Sequence, residues 1–202
     1  MLIGLAILIL TTLLAGAQLL VPGIGERQIE NRLTEGGGEA DVRLSATPAA
    51  RLFLGDGDRI EVSGSKLDLD LETEDPQVLD RLDGFAEVHV DLEDFRAGPF
   101  DVRSFEMTRD GDGPYSVRSR STTTPADLVD YGAGALGLAG GPLLRFFAGR
   151  APLGSRPIPI SVEMEMESDD GRIKVVSGSG TVAGYPTGPL AQFITAVIVV
   201  RL

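Results

Sequence analysis

Apolar and charged side chains alternate with a period of two in several stretches of this chain. The clearest stretch, residues 158–167, sets isoleucine, valine and methionine against glutamate. Residues 67–72 and 87–93 repeat the pattern, with leucine or valine set against acidic side chains. Successive side chains of a β-strand point to opposite faces, which produces this period. These stretches therefore predict strands that have one buried face and one face in water.

Short turns join most of the predicted strands. The sequence Asp110-Gly111-Asp112-Gly113-Pro114 separates two of them, and Ser168-Asp169-Asp170-Gly171 separates another two. Both patterns are typical of hairpins. About eight strands connected in this way predict an antiparallel sheet with one dry face. A shorter charged helix, residues 26–35, is expected before the first strand and ends at a cluster of three glycines.

Residues 124–149 are the least strand-like part of the chain. Thr124-Pro125 is a good helix start, and apolar residues then recur at helical spacing. A second short apolar helix is expected after Pro142 and ends at Gly149. Both helices are rich in glycine, which favours close packing or movement over helix stability. Helices that cover the dry face of an antiparallel sheet define an α+β architecture.

The first 25 residues contain no charged side chain. An apolar stretch of about 20 residues is long enough to span the hydrocarbon of a bilayer. Ala15-Gly16-Ala17 fits a signal-peptidase site, whereas the apolar residues after it favour a retained membrane helix. We expect residues 1–25 to be a signal peptide or a membrane anchor, and residues 26–202 to form one domain. The domain is expected to be exported and to remain anchored, or to be periplasmic after cleavage.

Composition narrows the possible functions. The formal net charge of −12 argues against binding to nucleic acid, whose phosphates would be repelled. The chain has no cysteine, which excludes disulfides, thiolate metal sites and a cysteine nucleophile. No cofactor or metal motif is present in the sequence, and the single histidine, His89, is expected on a wet strand face. We therefore expect a protein that is not an enzyme and that needs no cofactor.

One stretch resembles a known family. It runs Leu44-Ser45-Ala46-Thr47-Pro48-Ala49-Ala50-Arg51-Leu52-Phe53-Leu54-Gly55, followed by Asp58-Arg59-Ile60-Glu61-Val62-Ser63 and Leu67. This stretch is similar to the LmeA-like phospholipid-binding proteins of actinobacterial cell envelopes. The resemblance implies a curved antiparallel sheet wrapped on helices, as in tubular lipid-binding domains. It also implies an exported protein that binds phospholipid and supports the maintenance of envelope lipid or lipoglycan.

The apolar faces predict where acyl chains would bind. The glycine-rich helices leave room beside the dry face of the sheet, and methionine adapts to irregular contents. We expect arginines at a helix end, Arg145 and Arg150, to meet the lipid headgroup. The predicted acyl-chain contacts are Leu52, Phe53, Leu128, Leu136, Leu138, Leu143, Phe146, Phe147, Ile160, Val162 and Met164.

An alternative hypothesis explains the same apolar faces without a ligand. The interior can instead be a closed core, and the protein would then be a non-enzymatic scaffold or protein-interaction module of the envelope. A glycan-cleaving enzyme is a third hypothesis, which requires an acid pair in a cleft. The acidic pairs in this sequence, such as Asp68 and Asp70, are expected on the wet face instead.

Overall fold

The computed structural model describes residues 22–69, 79–127, 156–182 and 185–186. Several predictions lie outside these residues. They concern the apolar segment up to residue 21, a strand position at Leu71, most of the two glycine-rich helices, and the apolar C-terminal stretch after residue 186.

The described residues form one sheet of nine strands with a few short helices. The helices are α1 (residues 22–33) and α2 (Asp80–Asp83), a 3₁₀ helix covers Ala49–Leu54, and residues 125–127 form a helical turn. The strands are β1 (Glu39–Ser45), β2 (Gly57–Ser65), β3 (Asp68–Leu69), β4 (Phe85–Ala97), β5 (Phe100–Asp110), β6 (Tyr115–Thr123), β7 (Ile158–Asp169), β8 (Arg172–Val182) and β9 (Tyr185–Pro186). The α+β class is confirmed at this level.

The sheet is mixed rather than wholly antiparallel. Its main order is β1-β2-β4-β5-β6-β7-β8-β9, with β3 paired to β4 beside that path. The pairs β2–β4 and β3–β4 are parallel, which corrects the expectation of an antiparallel sheet. A parallel pair needs a connection that returns to the starting end of the sheet. Here the chain leaves β3 at one end and re-enters through α2 at the other.

One face of the sheet is buried, as the alternation predicts. A row of inward side chains crosses six paired strands in register: Val42, Val62, Val90, Met107, Val117 and Met164. We call this side of the sheet the inner face and the other side the outer face. The outer face carries most of the charged strand residues, and it includes surface ion pairs such as Arg118–Glu163 at 3.2 Å. Most strand positions therefore divide between a dry inner face and a wet outer face.

We call the two ends of the sheet the Arg109 end and the Pro99 end. The Arg109 end contains the start of β4, the β5–β6 turn and the β7–β8 turn. The Pro99 end contains the β4–β5 turn, the end of β6 and the start of β7. Thr123 pairs with Ile158, so the connection between β6 and β7 leaves and returns at the Pro99 end.

Helix α1 lies along the edge strand β1 and runs antiparallel to it. Glu26 accepts a hydrogen bond from the Leu44 N–H at 2.9 Å, and Glu30 accepts one from the Val42 N–H at 3.2 Å. Four helical residues rise about 6 Å and two strand residues about 6.6 Å, so the two spacings match. The carboxylates occupy the outward N–H groups of β1, which blunts an edge that would otherwise pair with another strand.

Candidate functional site

The inward side chains of β6 change character along the strand. Tyr115 and Val117 are buried apolar groups near the Arg109 end, whereas Ser119, Ser121 and Thr123 follow toward the Pro99 end. Ser119 is 3% exposed and Ser121 is 5% exposed. Neither hydroxyl has a hydrogen-bond partner in the part of the chain that the structure describes. We call Ser119 and Ser121 the serine strip.

Apolar side chains flank the serine strip on the neighbouring strand. Ser119 pairs in register with Val162, and Ser121 pairs with Ile160. Val162 in turn pairs with Gly180 of β8, which has no side chain. The serine strip is therefore a row of small groups beside a branched apolar wall. Such a surface presents two hydrogen-bonding groups beside an apolar wall.

Thr123 shows that hydroxyls on this strand can be satisfied by the fold itself. Its Oγ1 donates to the Pro99 carbonyl at 2.7 Å. The next residue begins a helical turn: the Asp127 N–H donates to Thr124 Oγ1 at 3.1 Å, as an N-cap requires. The predicted helix start at Thr124 is thus confirmed for residues 125–127.

The structure brings three of the predicted lipid contacts together. Ile160, Val162 and Met164 are all buried on the inner face of β7. Leu52 is half-buried and packs against the core from the 3₁₀ helix, whereas Phe53 is on the surface with 73% of its area exposed. The other predicted contacts, and both headgroup arginines, lie outside the described residues: Leu128, Leu136, Leu138, Leu143, Arg145, Phe146, Phe147 and Arg150.

The Arg109 end closes the inner face with a polar network. Arg109 donates to Asp83 at 3.2 Å and to the Tyr115 hydroxyl at 2.7 Å, and its guanidinium lies 4.6 Å from the centre of the Tyr115 ring. It also donates to the backbone carbonyls of Leu82, Asp83 and Phe85. Only its Nε lacks a partner in the described structure.

Tyr115 and Ser168 complete this network around one carboxylate. The Tyr115 hydroxyl donates to Asp83 Oδ1 at 2.8 Å, and the Ser168 hydroxyl donates to Asp83 Oδ2. Burial, followed by the hydrogen bond to Asp83, raises the pKa of Tyr115 above its usual value. The phenol is therefore held neutral. The network ties α2 to the ends of β5, β6 and β7.

The outer face carries a depression of about 710 Å³ at the Pro99 end. Its cationic lining consists of Lys66, Arg96, Arg103 and Arg120, which we call the basic depression. A register shift between Val102 and Ser104 places Arg103 at a β-bulge there. None of the four cations forms an ion pair with another described residue, although three aspartates share the lining: Asp68, Asp94 and Asp101.

The single histidine of the chain lies on the outer face. His89 is exposed there, and its register partners are Glu61 and Thr108. Within residues 22–69, 79–127, 156–182 and 185–186, no group of three or more histidine or acidic side chains is arranged to hold a metal ion. Among the same residues, no helix is both long and apolar enough to cross a membrane.

Sequence reasoning missed the serine strip and Arg109. Both were detectable from strand parity, because Ser119, Ser121 and Arg109 share the phase of Val117 and Met107. Their polar character hides this phase.

No protein-family model, curated protein or solved structure matches the chain.

Proposed function

We propose that the protein binds a phospholipid whose acyl chain lies against the inner face of β6 and β7. The serine strip is the observation that carries this proposal. A buried hydroxyl without a partner costs about 1–3 kcal/mol, so two of them side by side favour a ligand that accepts hydrogen bonds. The ester carbonyls of a phospholipid are such acceptors, and its acyl chain suits the adjoining wall of Ile160 and Val162.

The dimensions of the inner face agree with this ligand. One acyl chain fills half of a hydrocarbon core about 30 Å thick, so it is about 15 Å long. From Ile158 to Met164, six strand residues extend about 20 Å. Ser119 and Ser121 are two strand residues apart, about 6.6 Å, and can therefore meet two ester groups of one lipid. Each buried CH₂ would contribute about 0.8 kcal/mol of binding free energy.

The wider setting of the proposal comes from the sequence. An uncharged segment precedes α1, and the stretch around residues 44–67 resembles LmeA-like envelope proteins. We propose an exported, membrane-attached or periplasmic protein of the cell envelope that supports its lipid or lipoglycan. The helical contacts beyond residue 127, and the headgroup role of Arg145 and Arg150, remain predictions of this proposal.

Enlarging the serine strip tests the proposal. Ser119→Leu would fill the space assigned to the acyl chain, while Ser161→Leu adds the same atoms to the exposed outer face of β7. Native mass spectrometry of the full chain, released from detergent micelles, counts bound phospholipid. We expect Ser119→Leu to lose the lipid and to remain folded, and Ser161→Leu to retain it.

The opposite result has a distinct signature. If the inner face is a closed core, Ser119→Leu overpacks it and lowers the free energy of unfolding by about 1–3 kcal/mol. The wild-type chain would then carry no more phospholipid than its N-terminal segment recruits. Ser119→Leu would leave that amount unchanged. That combination would reject the lipid site.

The basic depression favours a second candidate function. Four cations that form no ion pair with any other described residue lie at one place on a chain whose net charge is −12. They suit an acidic segment of a partner protein, as expected for an interaction module with a closed core. Arg103→Glu combined with Arg120→Glu should abolish binding of a glutamate-rich peptide. Arg118→Glu is the control, because Arg118 already pairs with Glu106 and Glu163. Equal loss in both proteins, or no binding by the wild type, would reject this candidate.

A further inference from the structure

Exposed apolar side chains are concentrated near the edge strand β1. The large hydrophobic residues that are exposed among those described are Ile24, Phe53, Leu54 and Val176. Phe53 and Leu54 are adjacent in the 3₁₀ helix, with exposed fractions of 73% and 81%. Ile24 belongs to α1 and is 65% exposed. Exposed apolar groups that cluster usually mark an interaction surface.

The backbone brings Ile24 to the same end of the sheet as Phe53 and Leu54. Because α1 is antiparallel to β1 and Glu26 bonds opposite Leu44, the start of α1 lies beside the end of β1. A Cβ added at Gly25 would come within 2.8 Å of the Leu44 side chain, which shows how close the two elements are. The 3₁₀ helix follows the end of β1 directly and leads into β2. All three residues therefore lie at the Arg109 end.

The 3₁₀ helix holds Phe53 and Leu54 outward on a fixed base. Ala49 is buried, and Leu52 packs against the core. Arg51 pairs with Asp58 of β2 at 2.7 Å, and Gly55 ends the helix with a left-handed φ of 82°. Since these contacts fix the inward side of the helix, the next two side chains must project into solvent.

The chain itself indicates what these side chains meet. The 21 residues that precede the described part of α1 include no charged side chain, and they join α1 at the Arg109 end. A segment of this length and composition is typical of a bilayer-spanning helix. We propose that the Arg109 end faces a lipid bilayer, and that Phe53, Leu54 and Ile24 enter its interface. This inference rests on the proposed membrane attachment, but it does not depend on lipid binding at the inner face.

The charges at the Arg109 end indicate which kind of lipid surface it would contact. Around the β5–β6 and β7–β8 turns, four aspartates lie at the Arg109 end with Arg172 as the cation beside them: Asp110, Asp112, Asp169 and Asp170. Arg51, beside the exposed pair, is neutralised by Asp58. The contact is therefore apolar, as in shallow interfacial insertion, and anionic lipid should weaken it. A zwitterionic bilayer is the appropriate probe.

Single tryptophans can test this orientation, because the chain contains none. Phe53→Trp and Leu54→Trp place the reporter at the proposed contact, and Asp101→Trp places it at an exposed position near the Pro99 end. Each full chain is reconstituted into phosphatidylcholine vesicles, with and without lipids brominated near the head of the acyl chain. We expect the emission of the first two variants to shift to the blue and to be quenched by bromine. The emission of the Asp101→Trp variant should change in neither respect.

Two outcomes would overturn the proposal. Water-like, unquenched emission from both Phe53→Trp and Leu54→Trp would show that the 3₁₀ helix does not touch lipid. Equal quenching at position 101 would show that the protein has no membrane-facing end. Loss of phospholipid from the inner face, by contrast, would not alter these emissions, so the two proposals can fail separately.

Discussion

Buried polar groups differ in their hydrogen bonding between the two ends of the inner face. At the Arg109 end, the guanidinium, a phenol and a serine hydroxyl all donate to one carboxylate, and the guanidinium also donates to the phenol and to three backbone carbonyls. Toward the Pro99 end, Ser119 and Ser121 are buried but have no partner among the described residues. Thr123, on the same strand, donates its hydroxyl to the Pro99 carbonyl.

This contrast separates a structural region from a candidate binding region. Buried polar groups in folded proteins are nearly always hydrogen-bonded, and a connected network fixes one arrangement of the elements it joins. The Arg109 network fulfils this role, because it ties α2 to three strands. Two hydroxyls on a neighbouring part of the same face have no partner among the described residues, and the proposed phospholipid would supply an acceptor for them.

Disrupting the hydrogen-bonded network at the Arg109 end should have the largest effect on the free energy of unfolding. Arg109→Ala leaves Asp83 and the Tyr115 hydroxyl without their cation, and we expect the free energy of unfolding to fall by about 3–5 kcal/mol. Arg118→Ala is the matched control on the next strand. Its side chain is 62% exposed in surface pairs, so the loss should be below about 1 kcal/mol. Urea unfolding followed by circular dichroism measures both, and equal losses would refute the contrast.

An effect of intermediate size should appear at alkaline pH. Burial and the Asp83 hydrogen bond raise the pKa of Tyr115 in the folded state, whereas the unfolded phenol titrates near about 10. The stabilising contribution is therefore complete below pH 10 and is lost as the pH rises further, by up to about 1.4 kcal/mol per pH unit. Tyr115→Phe should flatten this decline. Denaturation curves between neutral and alkaline pH would show it, and an unchanged slope in the variant would contradict the assignment.

The smallest expected effect compares hydroxyls on one strand. Thr123→Val leaves the Pro99 carbonyl unpaired and should cost about 1–2 kcal/mol. Ser121→Ala removes a hydroxyl that has no described partner, so in lipid-free protein it should be neutral or stabilising by about 1 kcal/mol. Thermal unfolding of delipidated protein compares the two. A cost at Ser121 equal to that at Thr123 would mean that the fold already satisfies the serine.

Strand parity predicted the sheet well, because alternation depends only on neighbouring residues. The buried positions of β7, and those of β4 from Val88 to Leu92, follow directly from their apolar phase. The parallel pairing of β2 with β4 could not be predicted in this way, because it depends on how the chain returns to the Arg109 end. Arg109 and the serine strip were missed because polar side chains are expected on the face of a sheet that contacts water. Only their position in the alternation of the strand reveals that they point inward.

Two apolar residues of the 3₁₀ helix show that sequence pattern alone also fails to distinguish buried from exposed apolar side chains. Leu52 and Phe53 read alike as apolar contacts for a ligand, yet Leu52 packs against the core while Phe53 projects into solvent. The helix is too short for an apolar periodicity to distinguish its buried side from its exposed side. Their difference depends on tertiary contacts, such as the Arg51–Asp58 pair, that no local pattern encodes.

Photolabelling from the acyl chain tests the central claim most directly. The full chain is reconstituted with a phosphatidylcholine that carries a photoreactive diazirine within its acyl chain, irradiated, digested and analysed by mass spectrometry. The account predicts labels on the inward residues of β7, Ile160 and Val162, which Ser119→Leu removes. Labels confined to residues 1–24 and the 3₁₀ helix would leave the membrane contact standing and would contradict a lipid site on the inner face.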